Sequence, residues 1–475
     1  MIQMVEMSQR TQRIVIPLAT LLTLVFCILG CQADDSYLEV SIEDETEEEI
    51  TFYINSNQTL DREIIICPEN SEFLVAELEI LNPNPETEPE ARTPFLDPVF
   101  GTCVVRVTDR NNDLSGDDPS SGLKNEYSRV QSFNADGTLI LVRGTEATWY
   151  IYDANSLLPL GEVPLGVEPR WDPDDPYRIF FYEDTSLFSY DLLEGKREIR
   201  HDFSNDFPDL TLSAAWTRYE GSPSEDGSIF GLMVQDQDWD VVGFAIYDHN
   251  QDAVIARRLF SGGVEVDSVT ISLSGEFFLA FFDNYCREGQ LGTDDNPCGL
   301  MVYDQTLNNS KGLLRIVGHS DIAYSDSGQE FLVYQDIDTD HISMLNLSSG
   351  AITPILPINF SQGEIGLHFS GRAFNLPGWA IVSTYTGTAN AKTWMDDQVF
   401  AIELKPSGRI IRLAHSHSLV DENQDHDYWA EPHASVNQSF SRVLFTSNWG
   451  RSGTGEVEMY MIVLPEEWIK ANIKP

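Results

Sequence analysis

The sequence predicts an all-β chain wound into a ring of seven four-stranded blades, a seven-bladed β-propeller. Three observations carry that reading. The first is a polar turn that feeds an apolar strand, seen at Phe133-Asn-Ala-Asp-Gly137, Trp171-Asp-Pro-Asp-Asp-Pro-Tyr177, Ser224-Glu-Asp-Gly227, Ser272-Leu-Ser-Gly275 and Tyr324-Ser-Asp-Ser-Gly328. The second is a strand that ends in an acidic or amide residue, as in Tyr150-Ile-Tyr-Asp153, Phe188-Ser-Tyr-Asp191, Ala245-Ile-Tyr-Asp248, Met301-Val-Tyr-Asp304, Ser343-Met-Leu-Asn346 and Phe400-Ala-Ile-Glu403. The third is that the two signals alternate along the chain, at the spacing of four-stranded units rich in Val, Ile, Phe and Tyr.

Residues 1–31 are a targeting segment and stand outside the fold. Arg10 and Arg13 precede an apolar run from Ile14 to Cys27, and Ile28-Leu-Gly-Cys31 follows. This arrangement resembles a bacterial lipoprotein signal, which implies a lipidated Cys31 as the mature N-terminus; the alternative is an ordinary signal peptide or a short anchor. Gln32 after the cysteine implies an exported protein lipid-anchored to the outer membrane, on its periplasmic or surface face. Residues 32–98 read as an acidic tether. Its Glu43–Glu49 and Asn82–Glu90 stretches lack apolar periodicity, while Ile50–Ile54 and Glu63–Cys67 form candidate strands.

The propeller is expected over 99–475, with blades starting near Ser128, Glu168, Arg218, Val266, His319, Gly366 and Ala430. The last blade holds only three strand-like runs. Val104–Asp109, ahead of the first, is expected to pair into it and close the ring. Six cysteines include Cys27 and Cys31 of the leader. The remaining four suit an oxidising compartment, with Cys286 and Cys298 stapling a polar loop and Cys67 and Cys103 pinning the tether to the closing strand.

The chain carries 29 basic and 76 acidic residues, for a net charge of −47. Such a surface repels nucleic acid and anionic membranes, whose binding rests on basic residues. Contact with a membrane is therefore expected through a lipid anchor only. No Gly-x-Ser-x-Gly elbow, His-Glu-x-x-His helix, Cys-x-x-Cys pair or Asp-x-Asp-x-Asp-Gly calcium loop occurs in the sequence.

Residues just before each innermost strand ring the channel mouth of a propeller. Register places Ser128, Arg129, Glu168, Arg218, Glu220, His319, Asp321, Glu431 and His433 there. In the sixth blade, the Gly366–Trp379 stretch with His368 and Arg372 is expected to fold over the same mouth. Arg129, Glu168, His319, Asp321 and Trp429 are candidate ligand-binding residues. His433, Glu431 and His368 are candidate metal ligands. His415 and His417 form a second His-x-His pair, open to metal binding or to packing.

The repeats resemble TolB-like and WD40-like propellers of exported bacterial proteins. The Glu431-Pro-His433 segment with Val443-Leu-Phe-Thr-Ser447 is similar to the last blade of oligogalacturonate lyases, where a His-Pro-His segment helps hold a divalent metal. His433 carries over directly, Glu431 replaces the first His, and Tyr428 stands where a Gln ligand is expected. The resemblance implies β-elimination on an acidic oligosaccharide. Arg372 and Arg218 would neutralise the uronate carboxylate, His368 would act as base, and Mn or Ca is the candidate metal. The main expectation is a propeller lipoprotein that binds a small ligand, in particular a carbohydrate, or a cell-envelope protein at its mouth. The metal-assisted polysaccharide lyase is the alternative.

Overall fold

The computed structural model describes residues 67–68, 77–82, 87–358, 365–386, 393–420 and 427–473. The expected leader with Cys31 and the candidate strand Ile50–Ile54 lie outside the described residues, as does all but Cys67 of Glu63–Cys67. Seven antiparallel sheets follow one another along the chain. Six are four-stranded, spanning 123–163, 167–202, 212–264, 266–314, 320–357 and 365–415. The strands read as near-continuous apolar runs because each blade is covered on both faces. Phe277–Phe282 is buried in all but its first residue. Its Phe278 and Ala280 pack with Met233, Phe244 and Ile246 of the preceding blade, so the hydrophobic core lies between blades. Outermost strands face water and turn polar, as Lys196–Asp202 does.

The seventh sheet closes the ring as expected. Ser435–Val436, Arg442–Ser447 and Glu458–Val463 come from the C-terminal end, and Cys103–Arg106 pairs antiparallel with Glu458–Val463. A fifth strand, Phe95–Leu96, adds outside Cys103–Arg106. Thus the end of the stretch expected to be a tether is built into blade 7. The Glu88 carboxylate meets Arg110 at 3.3 Å and Arg451 at 2.8 Å. Arg412 of blade 6 donates to the carbonyls of Glu77 and Glu79. Disulfides join Cys67 to Cys103 and Cys286 to Cys298.

Three blade starts differ from the repeat register. Blade 1 begins at Leu123–Lys124 rather than near Ser128, blade 3 at Leu212–Trp216, before Arg218, and blade 7 at Ser435–Val436, after a short 3-10 turn over Tyr428–Ala430. The reason in blade 1 is physical: residues 125–132 cross the ring and fill its centre. The Tyr127 hydroxyl reaches His319 Nδ1 of blade 5 at 3.2 Å, and Arg129 pairs with Glu220 at 2.8 Å. Val130 O accepts from Ser435, and Gln131 Nε2 donates to Val436 O at 3.3 Å.

The 371–378 loop of blade 6 does not fold over the mouth. It joins the inner strand Ile365–Ser370 to Trp379–Thr386 and sits with the polar turns at the other end of the ring. There Gly378 N donates to Tyr324 O at 2.7 Å and Asn375 N to Gln438 O at 3.0 Å.

Candidate metal centre at the channel mouth

Two elements bring the central residues together. His368 sits in the inner strand Ile365–Ser370 of blade 6, paired with Ser383. Glu431 and His433 lie between the 3-10 turn and the inner strand of blade 7, which is locked to blade 6 by Ala434 N donating to Ser383 Oγ at 3.0 Å. His433 holds a left-handed backbone, φ 44°, which a non-glycine residue adopts only when its surroundings enforce it. Asn125 Nδ2, donating to His433 O at 2.7 Å, supplies part of that enforcement.

The result is a compact His/Glu/His set. His368 Nε2 is 2.7 Å from Glu431 Oε2, and His433 Nε2 is 3.3 Å from the same oxygen. One donor atom from each of the three can be chosen so that all lie within 4.8 Å of one another. All three residues are buried, at 1%, 3% and 0% exposure. His368 Nδ1 is buried with no hydrogen-bond partner, and His433 Nε2 has only the Glu431 carboxylate beside it. Burial holds both imidazoles below their ordinary pKa, against the pull of Glu431; for His433, Lys124 and His368 push the same way. Neutral imidazoles beside a carboxylate are the protonation state that metal ligation needs.

A second layer surrounds the set. Lys124 Nζ lies 3.2 Å from His433 Nδ1 and donates to Glu126 O at 3.2 Å. Its burial draws its pKa down to about 7. Tyr127 packs against the rings of both His368 and His433, and the ring of His319 lies 4.4 Å from that of His368. Tyr385 stacks on His368 and hydrogen-bonds Glu431. His319 keeps partial exposure, and burial together with His368 holds its pKa down to about 3.

The other candidates are placed differently. Arg372 is buried and bonded to Asp321 at 2.8 Å, and Asp321 also accepts from Gly371 N, so neither faces a ligand at the mouth. Arg129 is spent on Glu220. Glu168, 1% exposed with φ 55°, accepts from Thr217 N at 3.0 Å, from Thr217 Oγ1 at 2.7 Å and from Tyr219 N. It thereby fixes a turn in which Arg218 and Tyr219 are both left-handed, φ 63° and 74°. Arg218 is half-exposed and donates to Val266 O at 2.6 Å. Trp429 is partly exposed and lies under Lys124 and Arg143. His415 bonds Leu81 O at 2.6 Å and His417 stacks on Trp449, so both pack within the fold. Lys124, Tyr127, Tyr385 and Arg143 are the site residues sequence reasoning missed. Each occupies an ordinary strand or turn position with no motif around it.

Two solved structures share this architecture. One is described as an oligogalacturonate lyase in complex with manganese, with 14% identity and a TM-score of 0.53 over 79% of this chain and 96% of that one. The other is an oligogalacturonate lyase from Vibrio parahaemolyticus, with 14% identity and a TM-score of 0.52 over 83% and 100%. No family model matches the sequence, and no curated protein matches it. At this identity, the likeness establishes a common seven-bladed propeller fold.

Proposed function

We propose that this chain is a divalent-metal-dependent lyase that cleaves short acidic oligosaccharides by β-elimination at the channel mouth. The observation that carries the reading is the buried His368, Glu431 and His433 set, with one donor atom from each within 4.8 Å of the others. The fold shared with a manganese-bound oligogalacturonate lyase supports it. Two nitrogen donors and one oxygen suit Mn²⁺ better than Ca²⁺, which takes six to eight oxygens. When bound, such an ion supplies Lewis-acid polarisation of a uronate carboxylate, which acidifies the adjacent C–H.

The residues of the chain then divide the work. His368, Glu431 and His433 would hold the ion. His368 is thereby committed, so the base role expected of it passes to His319, the partly exposed imidazole beside it. With Nδ1–H donating to the Tyr127 hydroxyl, His319 would present Nε2 to the C–H proton, and a uronate carboxylate bound beside it would raise its pKa from about 3 toward the range a base needs. Proton transfer to Nε2 leaves the electron pair to form the C=C bond. The C–O bond to the leaving sugar breaks, and its oxygen takes a proton from water. Arg372 has no part in this scheme, because Asp321 occupies it.

Burial of all three metal-set residues favours a second reading, ligand binding without turnover. Incubation of the mature protein and Mn²⁺ with oligomers of galacturonate, glucuronate and mannuronate/guluronate separates the two. The lyase reading expects ultraviolet absorbance from an unsaturated product, abolished by Glu431→Ala and by His319→Ala. No product from any of these substrates sinks it. Lipidation at Cys31 and outer-membrane anchoring belong to the same proposal, and mass analysis of the N-terminal peptide from a native membrane fraction tests them.

A further inference from the structure

Lys124 and Arg143 face each other across the first two strands of blade 1. Lys124 turns inward to His433, whereas Arg143 is partly exposed, its guanidinium 5.2 Å from the Trp429 ring and 5.8 Å from the Trp149 ring. Among the described residues the Arg143 side chain makes no hydrogen bond and no ion pair, and its Nε is buried without a partner. The other arginines around the channel are all engaged: Arg129 with Glu220, Arg170 with Glu126, Arg372 with Asp321 and Arg218 with Val266 O. The field of Arg143 acts on Glu126 and Lys124 as well as on Tyr219 of blade 3 and Tyr428 of blade 7, the two tyrosines exposed by 48% and 45%. It therefore stands within electrostatic range of aromatic rings on two sides of the mouth.

We infer that Arg143 reads the carboxylate of one uronate unit in the substrate, with Tyr219 and Tyr428 offering ring faces to the sugar. This rests on the lyase reading and names the residue that would give it acidic specificity. Indole contacts orient a guanidinium through its face and leave its N–H edge for a bidentate carboxylate. An open cation at the mouth of so acidic a chain also selects for few charges. It serves one carboxylate, while each further one meets repulsion, which favours short uronates over long polyanions.

The test is calorimetric binding of trigalacturonate and of neutral galactotriose to metal-stripped protein, so that the His/Glu/His set contributes nothing. Wild type is expected to prefer the uronate. Arg143→Gln should lose roughly 10- to 100-fold in uronate affinity while galactotriose binding stays within about twofold, and Arg143→Lys should fall between. Unchanged circular dichroism guards against a folding defect. Equal binding of the two sugars by wild type, or unchanged uronate binding by Arg143→Gln, overturns the inference. If Arg143-dependent preference appears but Mn²⁺ yields no unsaturated product, the lyase reading fails and the carboxylate subsite stands. If product forms and Arg143→Gln changes neither affinity nor KM, the reverse holds.

Discussion

Glu458 lies in the strand that closes the ring, and its replacement by Gln gives a stability test with a defined sign. Its side chain is fully buried, accepting from Thr108 Oγ1 at 2.6 Å, from Arg110 N at 3.0 Å and from the Arg110 guanidinium at 2.7 Å. Burial outweighs these bonds and raises its pKa from an ordinary 4.5 to about 7. At about 1.4 kcal/mol per pH unit, that displacement is worth about 3 kcal/mol. The folded chain binds the proton more tightly than the unfolded one. The contribution is therefore fully present below pH 4.5 and is lost as pH rises to about 7. Wild type should lose about 3 kcal/mol from this group across that window, whereas Glu458→Gln, the same shape without a charge to titrate, should lose none of it. Arg110 keeps Glu88 and Glu456 as partners, each at 3.3 Å, so the variant does not strand a cation. Urea melts of both proteins at several pH values measure the difference. Parallel stability curves would refute the argument, because they would mean that Glu458 titrates alike in both states.

Three further outcomes follow from the same geometry. Lys124→Met removes the cation beside His433 Nδ1, which opposes further positive charge on that ring, and should tighten Mn²⁺ binding, measured by titration at fixed pH; weaker binding would contradict that role. Tyr127→Ala empties the centre of the ring and should cost about 3–5 kcal/mol in chemical denaturation; a smaller loss would mean that the 125–132 segment collapses to fill the space. Replacing Cys286 and Cys298 by Ser opens a loop with a sequence separation of 12, worth about 3 kcal/mol by chain entropy, and should lower the melting temperature without altering metal affinity.

The ring was legible because blades buried on both faces write their strands as apolar runs between Asp-Gly or Ser-Gly turns, and both signals recur. The closing strand was legible for a related reason: Arg442–Ser447 and its neighbours left a blade one strand short, and Cys103–Arg106 had the pattern to complete it. Blade 1 misled because its innermost strand has only two residues, and the polar run behind it leaves the sheet to cross the channel. Within the site, Glu431, His433 and His368 stand out by residue type. Lys124, Tyr127 and Arg143 do not, since ring closure brings blade 1 against blade 7 across some 300 residues of chain, as at Lys124 and His433 (sequence separation 309). Mouth register also fails to tell an exposed charge from a buried pair. Asp321 looks like a ligand-binding residue and Arg372 like a catalytic one in sequence, and they satisfy each other in the fold.

Metal binding by the purified protein bears most directly on the role given to His368, Glu431 and His433. Stripped protein titrated with Mn²⁺ and then desalted should retain one ion per chain. Glu431→Ala and His433→Ala should each lose it while keeping the wild-type melting profile in the metal-free state. Failure of the wild-type chain to retain an ion, or retention undiminished in both variants, would contradict a metal centre at the channel mouth.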